Sequence, residues 1–284
     1  MQTSGVITRR ITGIGIGLSF LAMWYFQGWV ARVMLTVLGV LAVWEMVSAI
    51  ENKGAKPVRA VSVIYMALCL PFSYLAGMSG LFALTCVTAM VGLCISMFHA
   101  DVETDSAAMT LFPIIYPGML FAVLIDMTRI EPKIVSTLMM GFIYGATMLN
   151  DIMAYEIGTL YGKRKMAPVL SPKKTWEGSI AGEVTSVVMC ALMPYIVQGL
   201  ASLFPMLGTY KPGLFPPIWL CALFGLISGA AAQAGDLCAS MVKRYCGIKD
   251  YGTLFPGHGG VMDRMDGILF SGLCASILFV VIMR

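Results

Sequence analysis

The chain has 284 residues, of which 58% are hydrophobic and 12% are charged, and its formal net charge is +4 at pH 7. A soluble domain carries roughly 25% charged residues, so this composition indicates a membrane protein. The positive charge is small and no basic stripe interleaves with aromatic residues, which argues against a nucleic-acid partner.

Apolar runs long enough to cross a membrane recur along the whole sequence. A helix of about 20 residues crosses a hydrocarbon core of roughly 30 Å, and long runs without polar alternation exclude a membrane β-barrel. The predicted fold class is therefore an all-α polytopic membrane protein. We predict nine transmembrane helices, at about 11–27, 31–50, 58–76, 79–98, 107–126, 134–158, 179–199, 216–238 and 267–283. The first run has no obvious small-residue cleavage site, so it is predicted to be a retained helix and not a signal peptide.

The basic residues divide unequally between the two sides that nine helices define. One side carries 14 of the 19 lysines and arginines, and the other carries five: Arg32, Arg129, Lys133, Lys211 and Arg284. The positive-inside rule then places the N-terminus in the cytoplasm and the C-terminus outside. The loops 159–178 and 239–266 would both face the cytoplasm, where nucleotides are available.

The sequence predicts one integral membrane unit with chemistry in its second half. Residues 1–133 supply N-terminal transmembrane helices, and residues 134–284 supply C-terminal transmembrane helices with the two polar loops. There is no internal repeat and no linker long enough to separate a second domain.

The first polar segment begins at Asp151, inside the sixth apolar run. If that helix continues, then Asp151, Tyr155, Gly158 and Gly162 share one face, and the two glycines allow another helix to approach closely. Asp151 would lie well inside the membrane, where an ionisable group is a functional candidate by default. A hydrogen bond between helices is the alternative explanation for Asp151.

A group of hydroxyls and lysines follows, just before the seventh apolar run. Helix N-termini bind anions through free N–H groups and the helix dipole, so Lys174 and Thr175 are candidates to hold phosphate. The alternative is that Ser171 and Thr175 cap the helix, with Pro172 in its first turn.

The second polar segment begins at the end of the eighth apolar run. Asp236 is followed by Ser240, Lys243 and Arg244, spaced by about one helical turn. The glycine-rich stretch 255–260 permits close approach of the backbone to a ligand.

Two aspartates stand at the start of the ninth apolar run. Asp263 and Asp266 are three residues apart, so their carboxylates can meet on one helix face. Together with Asp236 they make a plausible oxygen-rich site for Mg²⁺. Pairing with Arg264, or helix capping, is the alternative.

The pattern Ser240-x-Val-Lys-Arg-x4-Lys-Asp-x-Gly-x2-Phe-Pro-x-His-Gly-Gly-Val-x-Asp-Arg-Met-Asp266 is specific over its whole length. It resembles the signature of the bacterial phosphatidate cytidylyltransferases, also called CDP-diacylglycerol synthases. The segments Asp151-x2-Ala-Tyr-x2-Gly-x3-Gly-Lys and Ser171-Pro-x-Lys-Thr-Trp-Glu-Gly resemble the same family. The chain departs from the family at Ala239, where many members carry an acidic residue, and at Gly267, where many carry serine.

The resemblance implies that CTP and phosphatidic acid react to give CDP-diacylglycerol and pyrophosphate in phospholipid biosynthesis. It implies metal ligation by Asp236, Asp263 and Asp266, with Mg²⁺ and a second cation such as K⁺. The residues expected to act in catalysis are Lys174, Lys249, Asp250 and Arg264. Those expected to bind substrate are Asp151, Tyr155, Ser171, Lys173, Thr175, Ser240, Lys243, Arg244, His258, Gly259 and Gly260. The resemblance also implies a homodimer in the bacterial cytoplasmic (inner) membrane, surrounded by membrane lipid. Its active site would face the cytoplasm.

Three other functions are open to a chain of this kind. A CDP-alcohol phosphotransferase would carry the pattern Asp-Gly-x2-Ala-Arg-x8-Gly-x3-Asp-x3-Asp, which is absent here. A cytidylyltransferase acting on another lipid phosphate is poorly distinguished by sequence. A transporter is disfavoured because there is no inverted repeat and because the charges gather at one membrane face.

Overall fold

The computed structural model describes residues 2–98 and 104–282, with side chains at 11–98 and 106–281. Helices dominate these residues, which confirms the all-α class. The α-helices are α1 (Gln2–Phe26), α2 (Gly28–Asn52), α3 (Arg59–Met97), α4 (Thr104–Pro113), α5 (Leu120–Met127), α6 (Lys133–Tyr161), α7 (Trp176–Leu203), α8 (Ile218–Tyr245) and α9 (Met262–Ile282). A π-helical segment, Ile114–Met119, joins α4 to α5, and a short 3₁₀ helix, Pro205–Leu207, follows α7.

Six helices of the described residues are long and apolar enough to cross a membrane. They are Gly28–Asn52, Arg59–Met97, Ser106–Met127, Trp176–Leu203, Ile218–Tyr245 and Met262–Val281, and Ile11–Phe26 forms a shorter apolar helix. The predicted total of nine spans and the predicted orientation stay predictions. Arg284, which entered the orientation argument, lies outside the described residues, as do the side chains of Arg9 and Arg10.

Two of the predicted spans, 58–76 and 79–98, are joined in the 39-residue helix α3. The helix is interrupted at Gly77, where φ is 59° and ψ is −147°. This backbone conformation is open to glycine and costly for other residues. The interruption therefore falls between the two predicted runs.

Helix α8 continues seven residues beyond its predicted end at 238 and finishes at Tyr245. The prediction that a loop begins at 239 is therefore wrong. The apolar side of the helix persists, because Ala239, Val242 and Cys246 are all buried. Two basic residues, Lys243 and Arg244, occupy the last turn, where positive charge complements the helix dipole.

The chain forms two compact units. One comprises Met1–Met23, Gly28–Asp126 and Val242–Met265, and the other comprises Trp24–Gln27, Met127–Met241 and Asp266–Arg284. Helices α8 and α9 each run from one unit into the other. The segment that carries most of the signature, 242–265, thus belongs to the same unit as α2 and α3.

The second unit contains the short hairpin and a buried polar network. Strands β1 (Lys165–Ala167) and β2 (Ser171–Thr175) pair antiparallel between α6 and α7. Asn150 of α6 is fully buried, and its side-chain amide donates to the Ser186 hydroxyl of α7 at 3.0 Å. Gln233 of α8 donates to Asn150 Oδ1 at 3.2 Å. These hydrogen bonds fix the relative positions of three helices inside this unit.

Glycines allow α7 and α8 to pack backbone to backbone. A Cβ atom added at Gly225 would lie 2.5 Å from the Ser186 carbonyl oxygen and 2.6 Å from Val187 Cα. Helix backbone cannot move aside as a side chain can, so a side chain at this position would force the helices apart.

We therefore expect Gly225→Ala to lower the free energy of unfolding by about 1–3 kcal/mol. The matched control is Gly199→Ala in α7, where an added Cβ meets nothing within 4 Å. That substitution should be neutral or should stabilise the helix by up to about 1 kcal/mol. Thermal unfolding in detergent measures both variants, and equal effects would contradict the close packing.

Candidate functional site

A carboxylate from the N-terminal half of the chain holds the start of α9. Glu45 Oε1 accepts a hydrogen bond from the Val261 amide at 3.0 Å, and Oε2 accepts one from the Met262 amide at 2.9 Å. Amides at a helix N-terminus have no partner within the helix, and the helix dipole favours a negative charge there. Glu45 therefore caps the helix that carries the predicted metal ligands, across a sequence separation of 216 residues.

Asp263 also holds the segments of this region together. Its Oδ2 accepts hydrogen bonds from the Tyr251 amide at 2.8 Å and the Gly260 amide at 3.0 Å. Its Oδ1 forms an ion pair with Lys243 Nζ at 2.8 Å, and only 3% of the Asp263 side chain is exposed. Hydrogen bonds to a charged group are the strongest that a fold uses. Asp263 thus joins the end of α8, the loop and the start of α9.

The glycines of the loop make room for these two carboxylates. A Cβ at Gly252 or Gly260 would overlap the Glu45 carboxylate, and a Cβ at Gly259 would lie 2.7 Å from Asp263 Oδ2. The backbone of Gly259 also has φ +84°, which favours glycine. This backbone was expected to approach a ligand, and it instead approaches carboxylates of the chain itself, those of the half-buried Glu45 and the buried Asp263.

His258 closes the turn next to these glycines. Its amide donates to the Phe255 carbonyl at 2.8 Å, and Phe255 pairs with Gly259 in an isolated bridge. The imidazole lies against α1, with Cε1 and Nε2 each 3.5 Å from the position of a Cβ on Gly13. His258 therefore packs between the loop and α1.

The exposed charged residues of this segment are cationic for the most part. Arg244, Lys249 and Arg264 are exposed, as is Asp250. Arg244 Nη1 donates to the Ile248 carbonyl at 3.4 Å, which orients this side chain along the loop. Within the segment 242–265, Asp263 is thus buried while three cations and Asp250 are exposed.

The second unit holds the other predicted site residues. Lys174 Nζ forms an ion pair with Asp236 Oδ2 at 2.5 Å, and Ser240 Oγ donates to Asp236 Oδ1 at 3.5 Å. Lys174 and Asp236 are both about 30% exposed at the side chain. A lysine and a carboxylate that a solvent-borne ligand can reach are thereby brought together.

Thr175 caps α7, because its hydroxyl accepts a hydrogen bond from the Gly178 amide at 3.3 Å. The capping alternative is confirmed for Thr175 but is wrong for Ser171 and Pro172, which lie in strand β2. The strand forms because Glu177 binds the amides of Lys163 and Arg164, and this contact folds the hairpin back on the start of α7.

Helix α6 continues to Tyr161. This continuation is the condition under which Asp151, Tyr155 and Gly158 were predicted to share one face. A Cβ at Gly158 would lie 3.0 Å from Thr175 Oγ1, and one at Gly162 would lie 2.6 Å from the same atom. The predicted close approach at these glycines is confirmed. Asp151, Tyr155 and Lys173 are exposed.

The carboxylate oxygens proposed for Mg²⁺ are already engaged. Asp236 is paired with Lys174, Asp263 with Lys243, and Asp266 Oδ1 accepts from the Gly267 amide at 2.8 Å. Within residues 2–98 and 104–282, no group of three or more His, Cys, Asp or Glu side chains is arranged to hold a metal ion. The donor chemistry suits Mg²⁺, so the three ligands stay a prediction.

Sequence reasoning missed Glu45. The available signal was that Glu45 is the single acidic residue of the apolar run 31–50. An ionisable residue in such a run is costly and is a functional candidate by default. Its partners could not be read from the sequence, because backbone amides leave no pattern.

We expect Glu45→Ala to destabilise the protein by about 1–3 kcal/mol for each buried amide left unsatisfied. Glu45→Gln keeps one acceptor oxygen and should be intermediate. The matched control is Glu51→Ala on the same helix, since Glu51 pairs with Arg59 at the surface and such a pair contributes about 0–1 kcal/mol. Thermal unfolding distinguishes these variants; an equal loss at positions 45 and 51 would contradict the capping role.

Comparison with known proteins accounts for nearly the whole chain. A model described as "Cytidylyltransferase family" matches residues 7–282. The chain is 41% identical over 133 residues to the protein named "Phosphatidate cytidylyltransferase" of Mycobacterium bovis, covering 47% of this chain and 38% of that protein. It is 38% identical over 130 residues to the protein of the same name in Mycobacterium leprae, covering 46% and 36%.

A third relative of the same name, from Staphylococcus saprophyticus, is 35% identical over 164 residues, covering 58% of this chain and 55% of that protein. In these matches the chain spans about a third to just over half of each relative's length. The family model is the broader match, and on its extent the chain belongs to the cytidylyltransferase family.

Proposed function

We propose that the chain is a phosphatidate cytidylyltransferase, which makes CDP-diacylglycerol and pyrophosphate from CTP and phosphatidic acid in phospholipid biosynthesis. The observation that carries the proposal is the fixed loop of the first unit. Glu45 and Asp263 hold its backbone from inside, while Arg244, Lys249 and Arg264 stay exposed. A rigid backbone with exposed cations suits a triphosphate and a lipid phosphate.

The reaction needs positioning and charge neutralisation more than a protein nucleophile. A phosphate oxygen of phosphatidic acid attacks the α-phosphorus of CTP, the bond from that phosphorus to the bridging oxygen breaks, and pyrophosphate leaves. Negative charge collects on the departing pyrophosphate, so fixed cations lower the barrier. Lys249 and Arg264 neutralise phosphate oxygens in this scheme, Asp250 acts with them in catalysis, and Arg244 and Lys243 bind substrate.

The hairpin of the second unit contributes a further phosphate contact. Lys174 stands directly before the cap of α7, where free amides and the helix dipole favour an anion. Its ammonium is held by Asp236 and is partly exposed, so it can exchange a carboxylate for a phosphate oxygen. Ser171, Lys173 and Thr175 are its neighbours on β2 and bind substrate with it.

Mg²⁺, with a second cation such as K⁺, belongs to the proposal. The ligands would be Asp236, Asp263 and Asp266, and the cation would supply further neutralisation of the triphosphate. Asp151, Tyr155, Ser240, His258, Gly259 and Gly260 complete the set of residues proposed to shape the substrate sites. A homodimer is also proposed, and the mass of the detergent-solubilised protein tests it.

Purified protein should convert phosphatidic acid to CDP-diacylglycerol and pyrophosphate with CTP and Mg²⁺, and not with ATP, GTP or UTP. Omitting Mg²⁺ should abolish the product. Absence of product, or equal use of the four nucleotides, would contradict the proposal. Product with another lipid phosphate and none with phosphatidic acid would reassign the substrate.

Two lysines of the hairpin provide a matched pair for the same assay. Lys174→Ala should lower kcat/KM by roughly 100-fold, the scale on which one fixed electrostatic contact acts in catalysis. Lys165→Ala removes an exposed lysine of β1 and should change kcat/KM by less than about twofold. Similar values for both variants would remove Lys174 from the site.

The proposed location is the bacterial cytoplasmic membrane, with the active site facing the cytoplasm. Single cysteines at Lys165 and Pro256, in a background without native cysteines, should resist an impermeant thiol reagent in intact cells. A cysteine at Lys211, from the smaller basic set, should react. All three positions are exposed, so accessibility in the fold does not decide the result. Labelling at 165 or 256 would overturn the orientation.

A further inference from the structure

The first unit contains an apolar cavity of about 530 Å³, which is lined both by signature residues and by residues outside the signature. Its walls come from α1, α2 and the segment 254–265. Its volume lies within the range of about 300–1,000 Å³ that small-molecule sites occupy. The walls are made almost wholly of apolar side chains, among them Ile16, Phe20, Leu38, Leu254 and Met265.

Among the residues whose side chains the structure describes, Arg264 is the one charged residue that lines this cavity. Its guanidinium has no carboxylate partner among the residues that the structure describes. Thr12 and Ser19 supply the other polar side chains of the lining, so a polar ligand such as a nucleotide base would replace few of its hydrogen bonds to water. A ligand with a long apolar part and one anionic group matches both the walls and the arginine.

The cavity is also accessible from the apolar outside of the unit. Val33 and Val37 of α2 line it, yet they are 45% and 54% exposed. On α1, Ile11, Ile14 and Leu18 are more than half exposed, as expected for helix faces in contact with lipid. A bilayer lipid can therefore reach the cavity without crossing water.

We propose that this cavity binds one acyl chain of the lipid substrate, with Arg264 at the phosphate end. This inference rests on the proposed function for the identity of the lipid phosphate. It assigns chain-length selection to α1, a helix outside the signature. Because the chain moves from the bilayer and not from water, its affinity depends on how well it packs in the cavity and not on removal of methylenes from water.

Gly15 is a position at which a larger side chain would fill the cavity. It lines the cavity, and a Cβ added there meets nothing within 4 Å. Gly17 is two residues away on the same helix, is exposed, and also has open space at its Cβ, but it does not line the cavity. Gly15→Leu and Gly17→Leu therefore add the same side chain to the same helix, and the first alone fills the cavity.

With phosphatidic acid of 16-carbon chains, Gly15→Leu should raise the KM for lipid at least tenfold. With 8-carbon chains, the KM for lipid should stay within about twofold of the unsubstituted protein, as should the KM for CTP. Gly17→Leu should match the unsubstituted protein with both lipids. The same chain-length profile for the two variants would overturn the proposal. Val37→Phe, from the facing helix, repeats the test if Gly15→Leu does not purify.

A second readout does not depend on turnover. A 16-carbon phosphatidic acid with a diazirine near the end of one chain, photolysed without CTP, should label peptides 12–23 and 33–38. Gly15→Leu should abolish this labelling and Gly17→Leu should retain it. Labelling confined to other peptides would overturn the cavity assignment. Correct labelling in a protein that makes no product from CTP would refute the proposed function and leave the lipid site standing.

Discussion

The arrangement of the signature segment depends on one carboxylate in an apolar helix. A charge in such a helix is costly unless it is satisfied, and Glu45 is satisfied by the two backbone amides at the start of α9. The two amides depend on this contact as well, because without Glu45 they would be buried and would have no hydrogen-bond partner. Gly252 and Gly260 have no room for a side chain for the same reason. The N-terminal half therefore determines the conformation of residues that lie more than 200 positions later.

Carboxylates and cations near the start of α9 differ in their exposure, although Asp250 is exposed as well. Glu45 and Asp263 are turned inward onto amides and Lys243, whereas Arg244, Lys249 and Arg264 are turned outward. The two carboxylates hold the loop backbone through hydrogen bonds, and the exposed cations are accessible to solvent. Arg264 also lines the apolar cavity. In the proposed function, Arg264 would meet the lipid phosphate and the cavity beside it would take an acyl chain.

Much of this organisation could be predicted from composition and spacing. The charge content and apolar runs were enough for the all-α membrane class, and the spacing of Gly158 and Gly162 was enough for the close contact with the start of α7. Helix ends were less predictable. Helix α8 continues beyond its apolar run because buried residues, Val242 and Cys246, continue along the same side. The β-hairpin was missed because Glu177 holds the amides of Lys163 and Arg164 from beyond the strands. Glu45 was missed because its partners are backbone atoms of a distant segment.

Hydrogen exchange in the unsubstituted protein tests the Glu45 contact most directly. The amides of Val261 and Met262 precede the first intrahelical hydrogen bonds of α9, so an ordinary helix start would leave them to exchange quickly. With the half-buried Glu45 as acceptor, the amides of the buried residues Val261 and Met262 should exchange far more slowly than those of the exposed residues Lys249 and Asp250. Exchange at Val261 and Met262 as fast as at Lys249 and Asp250 would show that Glu45 does not hold the start of α9.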